Sequence, residues 1–357
     1  MKLQKTERNK FLITLMFSLI ILFVFFILTL SLGSEKINLI NAMWGQTSKI
    51  TEGTDPSPNF DRIILLNLRL PRALLAILAG GLLAGSGAVF QLFFRNELAE
   101  PGIIGISSGA TLGAVSASVL GLGVNLASIK PFFQILKFIS PINLFAFIGA
   151  LLAGVIIIVL AFNKESSSKN STVMILLCGT ALGTLYSALS SLILITSSKE
   201  LGSIYSWILG SFNGHGWKEL LFILIPSIIS IIIMFSIQNQ LDLLACGETS
   251  AKSLGVSVNK LRILVLLSAA FAVSAAICAG GTISFVGLIA PHIVRKLTGS
   301  KAKTLLPLSM IFGSLLLLLA DTIAKTVISP SELPAGIITS ILGVPFFLSL
   351  FLNTSRT

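Results

Sequence analysis

Few side chains in this chain of 357 residues have types and spacing suited to chemistry. Cys178, Cys246 and Cys278 lack the spacing of a metal cluster or a disulfide framework. Cys178 and Cys278 lie inside apolar runs, where a thiol acts as a small packing group. Two histidines are too few for a zinc centre, and His292, beside Pro291 in GTISFVGLIAPHIVRK (281–296), reads as an interfacial or packed side chain. No GxxxxGK[ST] pattern is present to cradle a nucleotide, and no ladder of carboxylates crosses the apolar runs as in many proton-coupled carriers. The sequence therefore predicts no catalytic group, no metal site and no cofactor.

What remains is charge at the edges of apolar segments. RLPRALL (69–75) puts Arg69 and Arg72 three residues apart, either as anchors that reach the membrane surface or as a basic patch for an acidic partner. Pro71 between them suits a helix start, where its missing N–H is not needed. RNELAEPGIIGISSG (95–109) is a polar hinge with Asn96, two carboxylates and Pro101, either a plain connection or part of a gate. ADTIAKTVISPSELPAGIIT (320–339) carries Asp321, Lys325 and Glu332, and Glu332 suits the electrostatics of a helix start just before Pro334. GETSAKSLGVSVNKLR (247–262) is charged and helix-friendly, yet it lies between two long apolar runs.

The elements that position these groups are membrane-spanning helices. Charged residues are 11% of the chain, against about 25% in a soluble domain, and the mean hydropathy is +0.96. Repeated apolar runs of about 18 residues or more predict spans near 11–32, 72–94, 104–123, 141–162, 173–195, 219–237, 263–280, 283–297, 305–324 and 335–352. The fold class is all-α: one polytopic transmembrane domain over 1–357. The eighth span is short and follows Gly280 and Gly281, so it reads as a half-helix or one arm of a broken helix. The run from Phe11 to Leu32 is too long for a signal peptide and lacks a small-residue cleavage pattern.

Ten spans put both termini on one side. With the N-terminus inside, 15 of the 25 Lys and Arg residues are cytoplasmic and 10 are outside, which favours cytoplasmic termini. The net charge of +11 then reflects the membrane rather than nucleic acid. Small residues in GGLLAGSGA (80–88) and SSGATLGAVSA (107–117) place Gly81 with Gly85, and Gly109 with Gly113 and Ala117, for close helix packing. PGIIGISSG (101–109) and AGIITSILG (335–343) share a weak self-similarity that would suit an inverted repeat.

Four segments together resemble the FecCD family of ABC transporter permeases: RLPRALLAILAGGLLAGSGAVFQLFFRNELAEPGIIGISSGATLGAV (69–115), GETSAKSLGVSVNKLR, GTISFVGLIAPHIVR and ADTIAKTVISPSELPAGIITSILGVPFFL (320–348). The resemblance runs in order from about residue 60 to the C-terminus. It implies a type II importer permease of the bacterial cytoplasmic membrane, not itself an enzyme. Its implied partners are a second permease subunit, two cytoplasmic ATPase subunits that bind the ATP, and a substrate-binding protein outside. By the same resemblance the coupling helices lie near 241–260, with Glu248, Ala251, Leu254 and Gly255 on the family's pattern. Gly255 would make the turn between two short helices. Arg69, Arg72 and Lys325 match outer positions that pair with acidic residues of the binding protein. Asn96 and Leu98 match the cytoplasmic gate, with Ser171 and Thr172 on its other side. One departure stands out: Glu97 occupies the position where the family usually has proline, which predicts a looser turn.

The implied activity is inward transport by ATP-driven alternating access, with a ferric siderophore as the first candidate substrate and haem or cobalamin next. The rivals are an ion-coupled secondary carrier and a membrane scaffold that transports nothing.

Overall fold

The structure is a computed structural model that describes residues 2–33, 58–119, 140–162, 171–196 and 202–354. The regular elements of these residues are all helical. In lipid, only a helix or a closed barrel satisfies every backbone polar group, and the long apolar runs choose the helix. We label the helices α1 (Lys2–Ser31), α2 (Pro58–Ile63), α3 (Leu70–Phe94), α4 (Ile106–Val119), α5 (Pro141–Phe162), α6 (Ser171–Thr196), α7 (Gly202–Ile208), α8 (Trp217–Ser236), α9 (Gln238–Ala245), α10 (Glu248–Ser253), α11 (Val258–Gly280), α12 (Val286–Thr298), α13 (Ala302–Ala324) and α14 (Ala335–Thr354). Helices stand at all ten expected spans, and seven are long and apolar enough to cross a membrane. Residues 120–123 of the expected third span lie outside the described residues.

Burial separates the centre of the bundle from its rim. The apolar windows of α3 and α11 are 83% and 78% buried, whereas those of α1 and α6 are 6% and 11% buried. The central helices approach through glycine. A Cβ on Gly80 would overlap the Gly313 carbonyl of α13, and one on Gly87 would overlap the Gly287 backbone of α12. Gly109 and Gly113 meet α5 at Gly149 and Phe145 in the same way. The small-residue stripes thus mark real contacts. On α3, however, the tightest positions are Gly80 and Gly87 rather than Gly81 and Gly85.

Two breaks differ from a plain reading of the sequence. Pro71 does not begin its helix, because α2 runs on through a π-helical turn, Ile64–Arg69, into α3. That turn shifts the hydrogen-bond register, with the Leu70 N–H donating to the Leu65 carbonyl, so a proline is tolerated inside a helix that continues from 58 to 94. Between α11 and α12 the chain stops being helical for five residues. Gly281 and Phe285 both have positive φ, 72° and 68°. The 13 residues of α12 rise only about 20 Å, less than the roughly 30 Å hydrocarbon core. This is the expected half-helix. The break meets the end of α7, where the Thr282 hydroxyl donates to the Ile208 carbonyl, and just beyond it the Gly336 N–H of α14 donates to the Gly210 carbonyl at 2.9 Å. No apolar periodicity announced α7, which has seven residues.

Candidate functional site

Three groups of side chains were expected to matter, and the fold puts them at different heights. At the end where α1 finishes and α3 begins, Arg69 and Lys325 are buried, Arg72 is half-buried, and all three are engaged. Arg72 grips Asp321 of α13 through Nε (3.1 Å to each carboxylate oxygen) and a second nitrogen (2.8 Å), and it reaches Glu332 at 2.7 Å. Arg69 donates to the carbonyls of Leu30 and Ser31, both at 2.9 Å, and Lys325 donates to the Thr29 carbonyl at 2.8 Å. Arg69 and Lys325 are 8% and 4% exposed. Burial pushes the Lys325 ammonium down to about 8, against the opposing pull of Asp321. Asp321 and Glu332 both pair with Arg72, so Glu332 has a partner besides the start of α14 that it precedes.

At the opposite end of α3 the chain reverses. Arg95 takes a left-handed conformation (φ 51°), the Ala99 N–H donates to the Asn96 carbonyl (3.1 Å), and the Leu98 N–H donates to Asn96 Oδ1 (2.9 Å). Asn96 thereby closes the turn with its own side chain, as asparagine does at reversals. The turn is not left loose by the missing proline. Glu97 reaches α12, with its carboxylate 2.9 Å from Arg295 and 3.1 Å from His292 Nδ1. Arg295 also donates to Gln91 Oε1 of α3 at 3.0 Å. Partial burial alone would raise the Glu97 carboxyl, but the hydrogen bond and charge of Arg295, followed by His292, hold it below the usual carboxylate range. Farther along, Glu100 accepts the Phe285 N–H at 2.9 Å, at the start of α12. A cavity of about 250 Å³ opens there, lined by Glu100, Ser107, Ser284 and Phe285 among others. Ser171 begins α6 with Thr172 beside it, and their side chains lie outside the described ones.

The third group, on α10 and the following turn, forms a small projecting step. Glu248 and Lys252 pair at 2.9 Å along α10, which stabilises a helix of six residues. Ala251 is fully buried beneath it, while Leu254 is 63% exposed at its end. Gly255 has φ 84° and allows the sharp turn into α11, so the turn joins a short helix to a long one rather than two short ones. The Asp242 carboxylate of α9 accepts the Ala302 N–H at 2.7 Å and ties this step to the start of α13. Leu254 is a large apolar residue facing outward on an otherwise polar ledge.

The model of the FecCD transport family matches residues 20–353. The chain belongs to the FecCD transport family. All four segments that carried the resemblance lie within the match. This FecCD-family permease is 34% identical to the iron(3+)-hydroxamate import system permease protein FhuG of Bacillus subtilis, over 98% of this chain and all of that one. It is 36% identical to the cobalamin import system permease protein BtuC of Halobacterium salinarum, over 82% of this chain and 74% of the other. A solved inward-facing structure, described as a metal-chelate type ABC transporter, superposes with a TM-score of 0.74 at 31% identity, covering 93% of this chain and 97% of that one.

The geometry joins Arg72 with Asp321 and Glu332, and Asn96 with Leu98, and it keeps Arg69, Lys325 and the α10 group with separate partners. Sequence reasoning missed the Glu97 contacts with Arg295 and His292, and the role of Gln91. The signal was present at Glu97, a charge where proline was expected, but its partners are about 200 residues away.

Proposed function

We propose that this chain is the membrane-spanning subunit of an ATP-driven importer that carries an iron chelate into the cell, a ferric siderophore first and cobalamin or haem next. The observation that carries this reading is the family match over residues 20–353, together with relatives named for iron(3+)-hydroxamate and cobalamin import. In this reading two permease subunits form the pathway in the cytoplasmic membrane, with both termini inside. Separate ATPase subunits bind and hydrolyse the nucleotide, and a binding protein delivers the substrate from outside.

The α10 ledge is the proposed ATPase contact. Leu254 is the apolar anchor, Glu248 lies on the helix face, Ala251 packs the helix to the body and Gly255 makes the turn. An ATPase dimer can bias the pathway only by contacting its two states differently, and this ledge is the place for that contact. The outer docking surface lies over Arg69, Arg72 and Lys325. Because Arg72 already holds two carboxylates, these residues orient the surface and tune encounter more than they supply affinity. Asn96 and Leu98 form one side of the inner gate, and Ser171 and Thr172 form the other.

The test is uptake of a labelled ferric hydroxamate into vesicles containing this chain, its ATPase and its binding protein. ATP-dependent accumulation that survives ionophores supports the importer. Accumulation that collapses with an ion gradient and needs no ATPase would replace it with a secondary carrier. Absence of flux for ferric hydroxamate, haem and cobalamin alike, with every partner present, would favour a scaffold.

A further inference from the structure

The two carboxylates of the gate segment attach to opposite ends of one short helix. Glu100 takes the Phe285 N–H at the start of α12, and Glu97 meets His292 and Arg295 near its end. From Phe285 to Arg295 is ten residues, about 15 Å along a helix. From Glu97 to Glu100 is three residues, about 10 Å when extended, with side chains adding the rest. The segment therefore runs beside α12 in the opposite direction and is stapled to it twice. The local turn bonds, Asn96 to Leu98 and Ala99, set the shape of the reversal but not its position relative to α12. Gln91 adds a third element, since it donates to the Gly287 carbonyl at 3.3 Å and accepts from Arg295.

We propose that Glu97 and Arg295 are positioning residues for the inner gate, a charge latch that makes the 96–105 segment and α12 move as one body. Proline at 97 could shape the turn but could not hold it to α12. In this chain the latch supplies that hold, so a displacement of α12 carries Asn96 and Leu98 with it. The gate role of Asn96 and Leu98 rests on the proposed function, whereas the mechanical coupling of segment to helix does not. Glu97 is half exposed, and a pair of this kind shifts an equilibrium by up to about fivefold.

The experiment places spin labels at Arg95→Cys and Leu297→Cys, both exposed positions, in the full chain in nanodiscs with its three native cysteines replaced. Dipolar coupling then reports the separation of segment and helix. With the latch intact, a single narrow distance is expected. Glu97→Gln, Arg295→Gln and Glu97→Pro should each increase the separated population by about two- to fivefold. The exchanged pair, Glu97→Arg with Arg295→Glu, should restore the narrow distance, a rescue that a purely steric role would not give. Narrow distances in all single variants, or no rescue by the exchange, overturn the latch. Glu97→Pro carries the family's usual residue at this position, which guards against a variant that merely fails to insert. Because the readout is on the chain itself, wild-type chain that imported nothing would sink the proposed function and still decide the latch.

Discussion

Asp321 should be the most costly polar residue to remove from the end of the bundle where α1 finishes. Its carboxylate is 1% exposed and receives both Nε and a terminal nitrogen of Arg72, so Asp321→Asn keeps the volume and removes the charge. Deleting one member of a buried ion pair costs about 3–5 kcal/mol when the survivor is left alone. Here Arg72 retains Glu332, which is 19% exposed, so the expected loss falls to about 2–4 kcal/mol. Glu332→Gln removes the more exposed partner and should cost about 1 kcal/mol or less. Replacing both members, Arg72→Met with Asp321→Leu, should recover part of the loss, because only the more exposed Glu332 is then left without its partner. The assay is equilibrium unfolding of the purified chain in mixed micelles, following helix signal against denaturing detergent. An Asp321→Asn variant no less stable than Glu332→Gln, or a double replacement as unstable as Asp321→Asn, would refute the reasoning.

Four further outcomes follow from the same structure. The Lys325 pKa is depressed to about 8 from 10.5. Below pH 8 both folded and unfolded chains hold the proton and the folded one bears the full cost of the buried charge. Between pH 8 and 10.5 the folded chain releases it first, so stability should rise across that window. Thermal midpoints at pH 7 and pH 10 should show this rise in the wild type and not in Lys325→Met. Gly87→Ala should destabilise the chain by about 1–3 kcal/mol, since the added methyl meets the Gly287 backbone, which cannot rotate away. The same unfolding assay checks it. Leu254→Asp should leave that stability unchanged, because the side chain is 63% exposed, yet weaken ATPase binding about tenfold or more in a pull-down titration. Gly255→Pro should abolish the stimulation of ATPase activity by the loaded binding protein while insertion persists.

The helices were legible because the bilayer imposes one rule on every apolar run, and the run lengths report it. Gly109 and Gly113 were legible as contacts for the same reason, since close approach needs small side chains wherever it occurs. Three things were not. The π-helical turn before Pro71 depends on how α2 is held, and a proline signals only that some register must change. Helix α7 is too short to show a period. The charges at Arg69, Arg72, Lys325 and Glu97 stood out in the sequence, but a charge does not reveal its partner there. Arg72 and Asp321 are 249 residues apart, and Glu97 finds its match across an entire bundle.

The attachment of α1 has a consequence for how the chain is made. Its apolar face is almost bare, and the bonds near its C-terminal end run from Arg69 to Leu30 and Ser31 and from Lys325 to Thr29. The latter clasp spans 296 positions. During synthesis α1 emerges before the helices it fastens to, and its last fastening cannot form until Lys325 has left the ribosome. Its apolar run from Phe11 onward, in a helix free of glycine and proline from Lys2 to Ser31, lets it wait alone in lipid as a finished helix. A helix made early is thus among the last to be fully secured, so truncations before α13 should loosen α1 and leave the Arg69 bonds to hold that end.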